Sequence, residues 1–214
     1  METNNGYLLV VEDIPDILAL LDTTLKFKGY RVVTAHNGQE AYDLIQKEQP
    51  ALVVTDILMP KMDGFSLVHR LRLDPKTRHI PVIFLSATYV APEDKAFALT
   101  IGATRFMEKP VSLEEFLPTI AELLDKPSSS STEPISEVDF YIGYRKRLEI
   151  KLAEKNTQIT RAEGLLRSVP DSEKEAFSVY LHQAVNERKE ILRLLDEIQI
   201  HLAKETSTNE TKPT

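Results

Sequence analysis

The 214 residues include no cysteine, which excludes a disulfide framework, a thiolate zinc site, an iron–sulfur cluster and a cysteine nucleophile. Glycine is scarce, at 7 residues against 12 prolines. No glycine belongs to a G-x-x-x-x-G-K-[ST] or G-x-G-x-x-G loop, and H-E-x-x-H is absent, so nucleotide hydrolysis, dinucleotide chemistry and zinc proteolysis lack their usual hardware. Long hydrophobic runs are missing as well. The apolar run at residues 8–11 is too short for a signal-peptide core or a membrane span, which predicts a cytoplasmic protein with no membrane association. Nor is there excess positive charge: a net charge of −7 and a pI of about 5.3 repel phosphate backbones in bulk, so nucleic-acid binding would need a segregated basic patch. What is present, 42% hydrophobic and 28% charged residues, is the composition of a soluble globular chain with room for two modest cores.

Residues 1–125 carry a net charge of −6 and the remainder −1, and the patterning changes with the charge. In the first part, strand-length apolar runs at 7–11, 52–55 and 82–85, a weaker one at 105–108 and an edge-like one at 31–35 alternate with helical patterns at 16–28, 38–47, 64–73, 92–101 and 113–124. Alternation of this kind predicts right-handed crossovers and a parallel sheet covered on both faces. Its sites would lie beyond the carboxyl ends of the strands. Residues 126–135, rich in serine with prolines at 127 and 134, read as a flexible linker. Residues 136–205 read as two long helices broken at Val169-Pro170-Asp171, and the polar tail 206–214 is expected to be disordered.

The predicted strand ends carry the chemistry. Strand one runs into Glu12-Asp13, strand three into Asp56, strand four into Ser86 and strand five into Lys109-Pro110. Three clustered carboxylates are costly unless a cation neutralises them. All-oxygen ligands beside a phosphate favour Mg²⁺, which usually takes only one or two carboxylates from a protein. With the metal bound, Asp56 is placed to attack a phosphoryl group, Lys109 to supply a second cation and Ser86 a hydroxyl donor. Pro110 is a candidate for a cis bond that turns Lys109 inward.

These residues, with Asp56-Ile-Leu-Met-Pro-Lys-Met-Asp-Gly64 and Phe106-Met-Glu-Lys-Pro110, resemble the receiver domain of bacterial two-component response regulators over residues 1–125. The resemblance implies a flavodoxin-like, doubly wound, five-stranded parallel sheet. It implies Asp56 as phosphoacceptor from a sensor histidine kinase. Asp13, Asp56 and the Leu58 carbonyl would be direct Mg²⁺ ligands, and Glu12 a water-mediated one. Ser86 and Phe106 occupy the switch positions, where the family often has Thr and Tyr. Leu58 and Thr88 occupy positions that tune hydrolysis of the phosphoryl group. No separate catalytic domain is implied, only self-phosphorylation from phosphodonors and autodephosphorylation.

The second module has a heptad seam: Val138, Tyr141, Leu148, Leu152, Ile159, Ala162, Leu166 and Val169, then Phe177, Leu181, Ala184, Ile191, Leu195, Ile198 and Leu202. A short turn predicts an antiparallel helical hairpin, or coiled coil. Extra apolar positions such as Phe140, Ile150, Leu192 and Leu194 predict a further partner, either a second copy in a four-helix bundle or another protein. His182 and His201 are weak candidates for a phosphotransfer histidine. Arg145-Lys146-Arg147 reads as a solvated face because glutamates interleave with it. DNA binding is not expected, since the helices are too long for a helix-turn-helix. The expected output is therefore a protein contact switched by phosphorylation. An RNA-binding, antiterminator-type regulator and a phosphorelay intermediate without its own output are the alternatives.

Overall fold

A computed structural model describes residues 6–87, 89–125, 134–168, 170 and 174–210. The chain divides into two compact units between Ile135 and Ser136. The first unit alternates strand and helix throughout: β1 Leu8–Val11, α1 Pro15–Phe27, β2 Val32–Ala35, α2 Gly38–Lys47, β3 Leu52–Asp56, α3 Gly64–Leu73, β4 Val82–Ser86, α4 Pro92–Thr100, β5 Arg105–Glu108 and α5 Leu113–Asp125. The strands form one parallel sheet in the order β2-β1-β3-β4-β5. Every residue of β1 and β4 is buried, because crossover helices cover both faces of a parallel sheet. The flanking strands β2 and β5 are more exposed.

Register brings the strand ends level. Val11 pairs with Thr55, Asp56 with Leu85 and Ser86 with Glu108, so the residues that follow β1, β3 and β5 share a rim with Asp56 and Ser86. The chain leaves β1 toward β2 on one side and returns to β3 on the other, which makes the β1/β3 rim the crevice at the topological switch point. Local chemistry starts the helices beside it. Asn37 caps α2 by accepting from Glu40 N at 3.0 Å, and Glu40 Oε2 reaches back past the cap to accept from His36 N at 2.9 Å. Asp63 caps α3 by accepting from Ser66 N at 3.0 Å.

The second unit consists of α6 Glu137–Ser168 and α7 Lys174–Glu210 packed against each other. Ser136 caps the start of α6: its Oγ accepts from Asp139 N at 3.1 Å and donates to Asp139 Oδ2 at 2.7 Å. Tyr141 stacks on His201 with centroids 4.7 Å apart, Lys155 pairs with Glu187, and Gln158 donates to Tyr180 Oη at 2.5 Å. Residue numbers climb on one helix as they fall on the other, so the pair is antiparallel. Two details differ from the sequence reading. Helix α7 continues to Glu210, beyond 205, because residues 206–210 contain no breaker and each added residue gains a helical bond. Leu194, Phe140 and Tyr144 are buried, whereas Leu195, Val138 and Tyr141 are only half-buried. A helix of 3.6 residues per turn drifts about 20° per heptad from a strict seven-residue seam. Residues 126–133 of the expected linker, and Val169 and Asp171 of the expected break, lie outside the described residues, as do 211–214. Among the described residues no helix is long and apolar enough to cross a membrane.

Candidate functional site

The β1/β3 rim collects the charged residues that the sequence placed after the strands. Glu12 is 1% exposed, and its backbone N–H donates to Ala35 O at 3.1 Å. Its Oε1 accepts from Ile14 N at 3.3 Å and its Oε2 from Lys109 Nζ at 2.6 Å. Asp56, the last residue of β3, accepts from Lys109 Nζ through Oδ1 at 2.8 Å and from Leu58 N through Oδ2 at 3.1 Å. One carboxylate oxygen from each of Glu12, Asp13 and Asp56 falls within 4.8 Å of the others, a hard, all-oxygen triad that could hold a metal ion. Lys109 offsets only one of those three negative charges. The Lys109–Pro110 bond is cis.

Burial pushes the Asp56 carboxyl up to about 6, with Glu12 and Asp13 adding to the rise and Lys109 opposing it. Lys109 is itself raised: burial alone would lower it, but Asp56 and Glu12 together outweigh that. A raised carboxyl favours the protonated native state, so the stability it confers is complete below the unfolded value near 4 and is lost as pH rises through about 6. Asp56→Asn is therefore expected to stabilise the metal-free protein by on the order of 2–3 kcal/mol above pH 7. That advantage should vanish by pH 4. Urea unfolding in chelator at several pH values measures it, and an advantage independent of pH would contradict the assignment.

Ser86 ends β4 beside Asp56. Its carbonyl accepts from Lys109 N at 2.9 Å, and its Oγ accepts from Tyr89 N at 3.0 Å. Phe106 lies on β5 as the register partner of Phe84, half-buried, with Lys95 Nζ 6.0 Å from its ring centroid. Thr88 lies outside the described residues. The rim thus brings together Glu12, Asp13, Asp56, Leu58 and Lys109, with Ser86 adjacent and Phe106 one strand away. One contributor escaped the sequence reading: Tyr89 orders the β4–α4 loop through its N–H, and no periodic or motif signal connects it to the rim. Gly64, which ends the Asp56–Gly64 stretch and opens the 64–73 helical pattern, packs so closely that a Cβ there would lie 2.2 Å from Asp56 O.

Residues 8–121 match the family described as the response regulator receiver domain. The chain is 39% identical over 149 residues to the "Probable transcriptional regulator ycf27" of Cyanophora paradoxa, covering 68% of this chain and 60% of that one. It is 34% identical over 162 residues to the transcriptional regulatory protein YkoG of Bacillus subtilis, covering 74% and 69%. The chain spans about 60% of the length of the first of these relatives. Among solved structures, the signal receiver domain of a signal transduction histidine kinase from Syntrophus aciditrophicus aligns with a TM-score of 0.54 and 34% identity over 61% of this chain and 97% of that one. The receiver domain of Francisella response regulator 1452 aligns with a TM-score of 0.54 and 31% identity over 57% and 98%.

Proposed function

The chain belongs to the response regulator receiver family through residues 8–121, and from that premise we propose that Asp56 is a phosphoacceptor for a sensor histidine kinase and that the α6–α7 pair carries the output as a protein-contact surface. The observation that carries the first part is the Asp56 carboxylate at the switch-point rim, held by Lys109 and Leu58 N among two further carboxylates. An Asp56 oxygen attacks phosphorus, the new O–P bond forms as the P–N bond to the donor imidazole breaks, and the electron pair ends on that imidazole nitrogen, which takes its proton from solvent. Lys109, already on Oδ1, is placed to meet a phosphoryl oxygen, and the Ser86 hydroxyl to donate to another. Glu12, Asp13, Asp56 and the Leu58 carbonyl would hold Mg²⁺, which supplies the positive charge that one lysine leaves lacking among three carboxylates. Incubating the full chain with acetyl phosphate and Mg²⁺ and measuring intact mass tests the acceptor; a chain that gains no phosphate would overturn it.

Leu58 offers only an apolar side chain where an amide or carboxylate could orient attacking water. Leu58→Asn is expected to speed dephosphorylation by about tenfold, followed as decay of the mass adduct after donor removal. An unchanged or slower decay would contradict the role given to Leu58.

The curated relatives named as transcriptional regulators favour a DNA-directed output as a second reading. Against it, this chain continues beyond Ser136 into helices of 32 and 37 residues, where DNA readers of the helix-turn-helix kind use short helices joined by a tight turn. The protein-contact reading rests on that pair and on Ile142 and Ile200, which lie exposed beside the Tyr141–His201 stack. Removing 126–214 should leave Asp56 phosphorylatable but abolish self-association, and Ile191→Lys at a fully buried position of α7 should weaken it in the full chain. Sedimentation velocity reads both, and salt-dependent RNA binding by a monomeric chain would favour the antiterminator alternative.

A further inference from the structure

Four aromatic residues from four consecutive stretches of chain meet beneath the rim. Phe65 is the second residue of α3, Phe84 lies in β4, Tyr89 in the following loop and Phe97 in α4. The ring of Phe65 is fully buried and makes edge-to-face contacts with Phe84 at 5.3 Å, Tyr89 at 5.3 Å and Phe97 at 5.2 Å, with interplanar angles of 82°, 76° and 84°. Such contacts are directional, so moving one ring disturbs its partners. Phe65 is itself anchored to the acceptor strand, since Gly64 N donates to Ile57 O at 2.8 Å and Gly64 packs directly on the Asp56 carbonyl.

The cluster touches both switch positions. Phe84 and Ser86 are two apart on β4 and share a sheet face, and Phe84 is the register partner of Phe106. Tyr89 N donates to Ser86 Oγ at 3.0 Å, while the Ser86 carbonyl is fixed by Lys109 N at 2.9 Å. The strand end is therefore held in the ladder, and a response at Ser86 is left to its hydroxyl and the loop beyond it. A turn of Oγ toward Asp56 either breaks the Tyr89 N–H bond or draws the Tyr89 backbone after it, and the fully buried Tyr89 ring then moves against Phe65. Helix α4 is prepared to answer. Its C-terminal end is pinned where the buried Arg72 donates through Nε and Nη2 to Gly102 O at 3.0 and 2.8 Å. Its N-cap, Ala91, makes no side-chain cap.

Building on the assignment of Asp56 as phosphoacceptor, we propose that Tyr89 is a positioning residue that couples the Ser86 hydroxyl to α4 through the Phe65–Phe97 contact, with α4 pivoting about the Arg72–Gly102 anchor. The switch of this receiver thereby runs through an aromatic hub as well as through Phe106.

Hydrogen exchange of the α4 amides in the full chain, with and without acetyl phosphate and Mg²⁺, tests the relay, with intact mass read on the same samples. In the wild-type chain, phosphorylation should change α4 exchange by about fivefold. Tyr89→Leu should keep the Asp56 adduct and lose most of that change, and Tyr89→Phe, which retains the ring, should restore it. Phe97→Leu approaches the hub from α4 and should show the same loss; it decides the matter should Tyr89→Leu fail to fold. An adduct accompanied by an undiminished α4 response in Tyr89→Leu or, failing that, Phe97→Leu overturns the relay alone, as does a phosphorylated wild-type chain without an α4 response. A wild-type chain that takes no phosphate overturns the acceptor assignment and the relay with it.

Discussion

Asp56→Asn takes up no phosphate from acetyl phosphate and Mg²⁺ in the expected result, while the wild-type chain gains one phosphoryl group per molecule. The substitution is nearly isosteric. An asparagine oxygen can still accept from Leu58 N, which now donates to Oδ2 at 3.1 Å, and Lys109 retains Glu12 at 2.6 Å. The site therefore keeps those contacts and loses the carboxylate together with its ion pair to Lys109, whose Nζ would face the asparagine NH2 group. Folding and labelling separate cleanly, because the same variant should be the more stable protein above pH 7, where the buried carboxylate of the wild type is ionised. An adduct that persists in Asp56→Asn would move the acceptor elsewhere in the chain.

Gly64→Ala should cost about 3 kcal/mol or more, at the upper end for overpacking. A methyl group at this first position of α3 would stand 2.2 Å from Asp56 O and 3.0 Å from Ile57 Cα. Both are backbone atoms, so no side-chain rotation relieves the overlap. The ordinary advantage of alanine over glycine in a helix, about 1 kcal/mol, does not offset it. Either α3 or the end of β3 must shift, and each shift moves Asp56 against Lys109 and Glu12. Urea unfolding and the labelling rate should fall together in Gly64→Ala, and a midpoint within error of the wild type would show that the close approach is not maintained in solution.

The residues of the acidic rim were legible in the sequence because each polar residue directly follows an apolar strand-length run, and strand ends of a parallel sheet share one side. Element bounds were legible for a related reason. Asn37 and Asp63 cap their helices through neighbours three residues on, so Gly38–Lys47 and Gly64–Leu73 begin and end where local pattern puts them. The hairpin was less legible. Its antiparallel sense follows from the short break at 169–171, but which of Leu194 and Leu195 turns inward depends on how α7 rotates against α6.

The sequence by itself determined the alternation of strand and helix, the parallel sheet, the carboxylates and lysine at its strand ends, and the division before the long helices. All of these are written in periodicity and local chemistry, which a chain carries residue by residue. Only the tertiary structure decided that Lys109 bridges Glu12 and Asp56, that burial lifts the Asp56 carboxyl, that Gly64 lies against the Asp56 carbonyl, and that Phe65 joins Tyr89, Phe84 and Phe97. Those depend on strand order, register and close packing between segments distant along the chain. Such contacts leave no periodic trace, because each residue's partner is set by how the elements dock rather than by its neighbours in sequence.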